Sequence, residues 1–253
     1  MAYNSLTEAP HNLKEGIDWL MAVKGTDAEK NLKAVGEAIH HLLKRHPVGL
    51  TVLPSLENVK YFSQRFMKKQ EFRDLPFVKE LLERYKAPMN KNPKRLPTIS
   101  MGKNESDYKN VVRAWGLTAK KVADKVSRAV DACEKFLEDV KLPDQYKSAY
   151  SSEATWDASC AQDPEACAVV FVGIAPMLYA GLRSLKEASK AATAYVADPM
   201  EETRLRDVLK SAGYKEPECS ERMTGSDIHK ALSGVHKDVL DIIYNFAGFW
   251  AFY

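Results

Sequence analysis

Apolar residues recur every three or four positions along most of this chain, the spacing that gives a helix one buried face. Leu13, Ile17, Leu20 and Met21 mark a first helix, and Gly25 is its expected stop. The left-handed cap conformation is cheap only for glycine. Thr26 and Glu29 have capping-box spacing for a second helix with the stripe Leu32, Val35, Ile39, Leu42 and Leu43, ending before Pro47. Val48 to Leu53 is apolar but lies between Pro47 and Pro54. It reads as an extended connector, with a short strand as the alternative. Leu56, Val59, Phe62, Phe66 and Met67 predict a third helix. Phe77, Val78, Leu81, Leu82 and Tyr85 predict a fourth, starting near Asp74 and Pro76.

Periodicity fails from Ala87 to Asn104. Pro88, Pro93 and Pro97 interrupt it, and Lys91, Lys94, Arg95 and Lys103 make it basic. Residues 87–104 are therefore expected to form a basic, proline-rich loop between a four-helix N-terminal part and a long-helix C-terminal part. A solvated connector is the expected role, and contact with an anionic surface is the alternative. Beyond it, Tyr108, Val112, Trp115, Ala119, Val122, Val126, Ala129, Cys133 and Phe136 predict one long helix, ended by Pro143. At 3.6 residues per turn it would have about nine turns.

Asp144 to Gln162 reads as a loop with short helical turns. Asp163-Pro164 is an N-cap followed by proline at the first helical position, so a helix starts there and continues toward Tyr195. Asp198-Pro199 repeats the signal, with Leu205, Val208 and Leu209 facing inward and Gly213 as the stop. From near Ser226, Ile228, Leu232, Val235, Val239, Ile242, Phe246, Phe249 and Tyr253 predict a last helix of nearly heptad pattern. Its aromatic ending, Tyr244 to Tyr253, either docks onto the body or marks the chain as a fragment of a longer protein.

Ala166 to Leu182 carries no charge and is mostly apolar. That length sits at the lower limit of a membrane span, which needs about 17–25 residues. The other solution is a central helix buried on every side. The amphipathic helices around it have apolar stripes in need of a partner, so the expectation is a buried hub with a kink at Pro176. Membrane insertion through 166–182 is the alternative. The expected fold is all-α: a single helical domain over 1–253, with long helices bundled around a buried, proline-kinked apolar helix.

Composition narrows the function. The chain has 253 residues, enough for a large core, and a net charge of only +3 from 37 basic and 34 acidic residues. That balance argues against a nucleic-acid partner, which demands a basic surplus on one face. Met1 to Val23 holds Glu8, Lys14, Glu15 and Asp18, with no apolar core of a secretory signal. The cysteines are Cys133, Cys160, Cys167 and Cys219, and none has C-x-x-C spacing. Two disulfides would allow three connectivities. Cys160 and Cys167 flank the start of the apolar run and form the candidate disulfide; four free thiols are the alternative.

Chemical motifs are missing. His40 and His41 are adjacent, so they face apart on a helix and cannot form an i, i+4 zinc pair. His46, nearby, reads as solvated. Gly102-Lys103 lacks the upstream glycine and strand of a phosphate loop. Trp19, Trp115, Trp156 and Trp250 read as core or rim packing, and the acidic residues as solvated helix faces. No catalytic, metal or cofactor-binding residue, and no cofactor, is predicted.

Two stretches carry a resemblance. One is Asn12-Leu13-Lys14-Glu15-Gly16-Ile17-Asp18-Trp19-Leu20, followed by Lys24-Gly25-Thr26-Asp27. The other is Val172-Gly173-Ile174-Ala175-Pro176-Met177-Leu178-Tyr179-Ala180-Gly181-Leu182, followed by Ser184-Leu185. Both resemble the variant erythrocyte surface antigen family of Babesia parasites, over the N-terminal part of its long members. The resemblance implies a non-enzymatic antigen exported to the infected red-cell surface, with roles in cytoadhesion and antigenic variation. It implies a second antigen subunit and a host endothelial receptor as partners. It also implies export without a standard N-terminal signal and membrane association in the long members. The long members continue to a C-terminal membrane span that the residues up to Tyr253 do not include, so a truncated or fragmentary member, a soluble helical scaffold or export-associated binding protein, or a non-expressed recombination donor copy are the expected alternatives.

Overall fold

The computed structural model describes residues 2–87, 105–193, 199–215, 217–219 and 223–253. The side chain of Asn12 accepts the Glu15 N–H and opens α1, Leu13–Lys24, which ends at Gly25 with φ +54°. The cap of α2, Ala28–Arg45, is Asp27, whose side chain accepts the Lys30 N–H. The cap expected at Thr26 therefore falls one residue later, and with Lys30 in place of a glutamate at the third position the reciprocal half of the expected box is not made. Pro54 and Pro76 sit at the first positions of α3, Pro54–Met67, and α5, Pro76–Lys86. A short α4, Gln70–Arg73, lies between them. Val48 to Leu53 is an extended connector, with the Gly49 and Thr51 N–H groups donating to the carbonyls of Trp250 and Ala251.

The long helix expected from Tyr108 is two. A short α6, Val111–Ala114, is followed by a turn with Gly116 at φ +56°. Then α7, Ala119–Val140, starts at the Thr118 cap. Only glycine adopts that backbone cheaply, so the helix cannot run through although the apolar spacing does. One turn, α8, Trp156–Ser159, interrupts the following loop. The expected terminal helix is also broken, into α11 (Gly225–Ala231), α12 (Lys237–Asn245) and α13 (Phe249–Phe252). The breaks fall at a 3-10 turn, Leu232–Gly234, and at Gly248 with φ +69°. Pro199 starts α10, Pro199–Ala212; its proposed cap, Asp198, lies outside the described residues. The basic loop lies outside them too, from residue 88.

The axis of the fold is α9, Pro164–Ala192, started by the Asp163 side chain accepting the Ala166 N–H. At 1.5 Å per residue it is about 44 Å long. Every residue from Cys167 to Leu182 is buried. The helix packs against α1, α2, α3, α10, α11 and α12. Each large aliphatic or aromatic side chain hidden there contributes about 1.5–3 kcal/mol. α9 is long and apolar enough to cross a membrane, but its apolar face is fully occupied by other helices. It continues through Pro176. That proline withdraws an N–H from the ladder, and the nearby Gly173 carbonyl accepts the Ser63 hydroxyl at 2.5 Å.

The fold is thus an all-α bundle around a buried apolar helix. Among the described residues there is no strand, only isolated bridges at Tyr3–Tyr150 and Lys141–Cys219. Helices from both sides of residues 88–104 share one core. The aromatic C-terminal segment docks into it: Tyr244, Phe246, Phe249, Trp250, Phe252 and Tyr253 are all buried.

Candidate functional site

The two stretches that carry the family resemblance meet inside the bundle. A Cβ on Gly181 of α9 would stand 3.0 Å from Leu13 Cδ2 on α1. A Cβ on Gly16 of α1 would stand 2.9 Å from Leu178 Cδ2 on α9. Each helix thus offers a glycine notch to a leucine of the other. Trp19, fully buried, donates its Nε1–H to the Leu6 carbonyl at 2.7 Å. These residues build the core and present nothing to a ligand.

A surface cleft of about 520 Å³ opens elsewhere, between α5, α9 and α12. Phe77 and Leu81 from α5, Tyr179 from α9, and Leu240 and Tyr244 from α12 supply its apolar wall. Tyr179 meets Tyr244 and Phe77 edge-on, with ring centroids 5.1 Å and 6.2 Å apart. At the base, Arg84 donates to Asp107 Oδ2 at 2.9 Å, to the Tyr244 hydroxyl at 2.6 Å and to the Glu80 carbonyl at 2.6 Å. The Tyr244 hydroxyl donates to Asp107 Oδ1 at 2.9 Å. Burial pushes the Arg84 guanidinium down, but Tyr244 and Asp107 outweigh it and hold it above its ordinary range.

Arg183 lies over the Phe77 ring at 4.0 Å, a cation–π contact that fixes the guanidinium plane. Its Nη1 donates to the Tyr179 hydroxyl at 2.7 Å and its Nε to Glu187 at 2.9 Å. Lys186, one turn on, donates to the Val235 carbonyl. The spacing of Arg183, Lys186 and Lys190 puts all three on one face of α9. Lys237 and Asp241 pair across one turn of α12. Five cations (Arg84, Arg183, Lys186, Lys190 and Lys237) thus line the cleft against three carboxylates (Glu80, Glu187 and Asp241). No serine, cysteine or histidine is among the described lining residues. The arrangement suits non-covalent capture of a negatively charged group.

Cys160 and Cys167 are joined in a disulfide with Cα atoms 6.0 Å apart, and both are fully buried. The bond ties α8 to the first turn of α9. Cys133 is a buried free thiol and Cys219 a partly exposed one. His40 is buried, with Nε2 facing the Leu117 carbonyl at 3.0 Å. His46 packs edge-on against Phe252 at 5.0 Å rather than standing free in solvent. Among the described residues, no three His, Cys, Asp or Glu side chains gather in a metal-binding group. Gly102 and Lys103 lie outside the described residues. Trp19, Trp156 and Trp250 are buried, and Trp115 is exposed.

The cleft leaves little trace in the amino-acid sequence. Its one local signal is the basic i, i+3, i+7 stripe that begins as soon as the uncharged run ends. Arg84 and Lys237 arrive from helices far away in the chain.

No family model matches this chain, and neither a curated protein nor a solved structure matches it.

Proposed function

We propose that this chain is a non-enzymatic helical module of the variant erythrocyte surface antigen type, serving cytoadhesion and antigenic variation at the infected red-cell surface. The observation that carries the reading is the reciprocal seating of Leu13 at Gly181 and Leu178 at Gly16. The two resembling stretches are distant in sequence yet form the two sides of one contact. The Cys160–Cys167 disulfide suits an oxidising compartment and so favours export. A second antigen subunit and a host endothelial receptor are the partners this reading calls for.

The test is protease shaving of intact infected cells, with recombinant chain applied to endothelial monolayers in parallel. Removal of the chain by protease, together with saturable endothelial binding, is the expected result. A chain untouched by protease on intact cells would overturn the surface assignment.

The second reading is a soluble helical scaffold that binds another subunit during export. The full burial of Cys167 to Leu182 favours it, because that helix has no apolar face left for lipid. A detergent-free monomer without endothelial affinity, co-purifying with another parasite antigen chain, would select this reading.

A further inference from the structure

We propose that the cleft between α5, α9 and α12 is a binding site for an anionic amphiphile, a small molecule with one carboxylate or phosphate head on an apolar body. This goes beyond the antigen reading and does not depend on it. The volume, about 520 Å³, falls within the usual range for small-molecule pockets, roughly 300–1,000 Å³. The wall is apolar at Leu81, Leu240 and Tyr244, and cationic along the α9 rim.

The head-group position is set by Arg183. Its ring contact with Phe77 and its bonds to Tyr179 and Glu187 hold the guanidinium in one plane before any ligand arrives. Those bonds use Nε and Nη1, and no described residue accepts from Nη2. A preorganised fork with unused donors is the side-chain arrangement that best matches a carboxylate or phosphate. Lys186 and Lys190 add charge on the same helix face. Neither has a carboxylate partner among the described ion pairs, whereas Lys237 across the cleft is neutralised by Asp241. The unbalanced charge is therefore on the α9 rim, next to the apolar wall. A molecule that carries one negative head and an apolar body satisfies both surfaces at once. A simple inorganic anion would leave the wall bare, and a neutral apolar molecule would leave the fork unused.

Titration calorimetry on the full chain tests this with laurate, dodecyl phosphate and the neutral dodecyl maltoside, each below its micelle concentration. Saturable one-to-one binding of laurate or dodecyl phosphate, at least about tenfold tighter than the maltoside, is expected. Whichever head binds more tightly separates a carboxylate from a phosphate ligand. Arg183→Gln should weaken that binding by about tenfold. Lys190 is exposed and has no ion-pair partner among the described residues, so Lys190→Glu leaves the fold intact and should weaken binding about threefold or more. Equal affinity for the anionic and neutral amphiphiles, no saturable binding, or unchanged affinity in a folded Lys190→Glu variant would each overturn the proposal.

Discussion

Gly181 and Leu13 hold the entry helix against the central one: the missing side chain of the glycine is the space the leucine fills, with contacts of 3.0, 3.1 and 3.2 Å awaiting any added Cβ. Three atoms of one side chain are that close, so no single rotamer change clears them. Gly181→Ala is expected to destabilise the protein by about 1–3 kcal/mol, as overpacking does. Leu13→Ala opens a cavity instead and should cost about 2–5 kcal/mol. In the double variant the new methyl occupies the space the leucine left. Urea unfolding of all four proteins should give a double variant more stable than the sum of the singles predicts, by about 1 kcal/mol or more. Strict additivity would mean that the two residues do not share the notch.

Where helices begin was legible because the chemistry is local. Asp163 and the prolines at 76 and 164 act within one turn of themselves. Where helices break was less so. Gly116 sits inside an apolar period that continues on both sides of it, and periodicity reports which residues face inward, not whether the backbone between them is continuous. Leu232, Val235, Val239 and Ile242 likewise all face the core, although a 3-10 turn separates them. The apolar run at 166–182 suited lipid or protein equally well. What decides it is the set of stripes on α2, α3, α10, α11 and α12 that need its surface. The cleft was beyond reach for a related reason. Its base joins Arg84 to Asp107 and Tyr244, residues whose separation along the chain gives no pattern to detect.

That base is a second place to test the fold. Arg84 and Asp107 are almost fully buried, and their side chains meet at 2.9 Å. Arg84→Met would take this arginine away from the carboxylate while leaving it desolvated. Loss of one member of such a pair costs about 3–5 kcal/mol. Arg84→Met/Asp107→Leu removes the carboxylate as well and should recover part of the loss, since apolar replacement of a whole buried pair is often tolerated. Chemical denaturation of the two variants orders them. A double variant less stable than Arg84→Met would show that Asp107 is held by its other contacts rather than by the arginine.

The cysteines separate by burial. Cys133 is enclosed, and burial pushes its thiol up to about 12. Burial also pushes the Cys219 thiol up, to about 11, but it is partly exposed. The thiolate is the reactive form, so native alkylation with iodoacetamide should label Cys219 slowly and leave the other three untouched. Denaturation without reductant should add Cys133, and reduction should add Cys160 and Cys167. Intact-mass and peptide analysis reads each step. Labelling of Cys160 or Cys167 in unreduced, unfolded protein would show that they are not bonded. Replacing both by serine is expected to cost about 2–3 kcal/mol, the value for so short a loop.

Two histidines make stability depend on pH. Burial lowers the affinity of His40 for a proton below its ordinary value of 6.5, and its Nδ1 is enclosed without a partner among the described residues. Burial lowers His46 as well, with the neighbouring Arg45 charge acting in the same direction. The unfolded chain therefore takes up these protons first as pH falls. Their neutral state, buried for His40 and half-buried for His46, contributes its full stability above pH 6.5 and loses it as pH drops through that value toward the lower folded-state value. The urea midpoint should be lower at about pH 5.5 than at about pH 7.5, before most carboxylates titrate. His40→Gln keeps a donor for the Leu117 carbonyl and cannot ionise, so it should flatten part of that slope, and His40→Gln/His46→Gln should flatten more. A slope that survives in the double variant would assign the acid sensitivity to other groups.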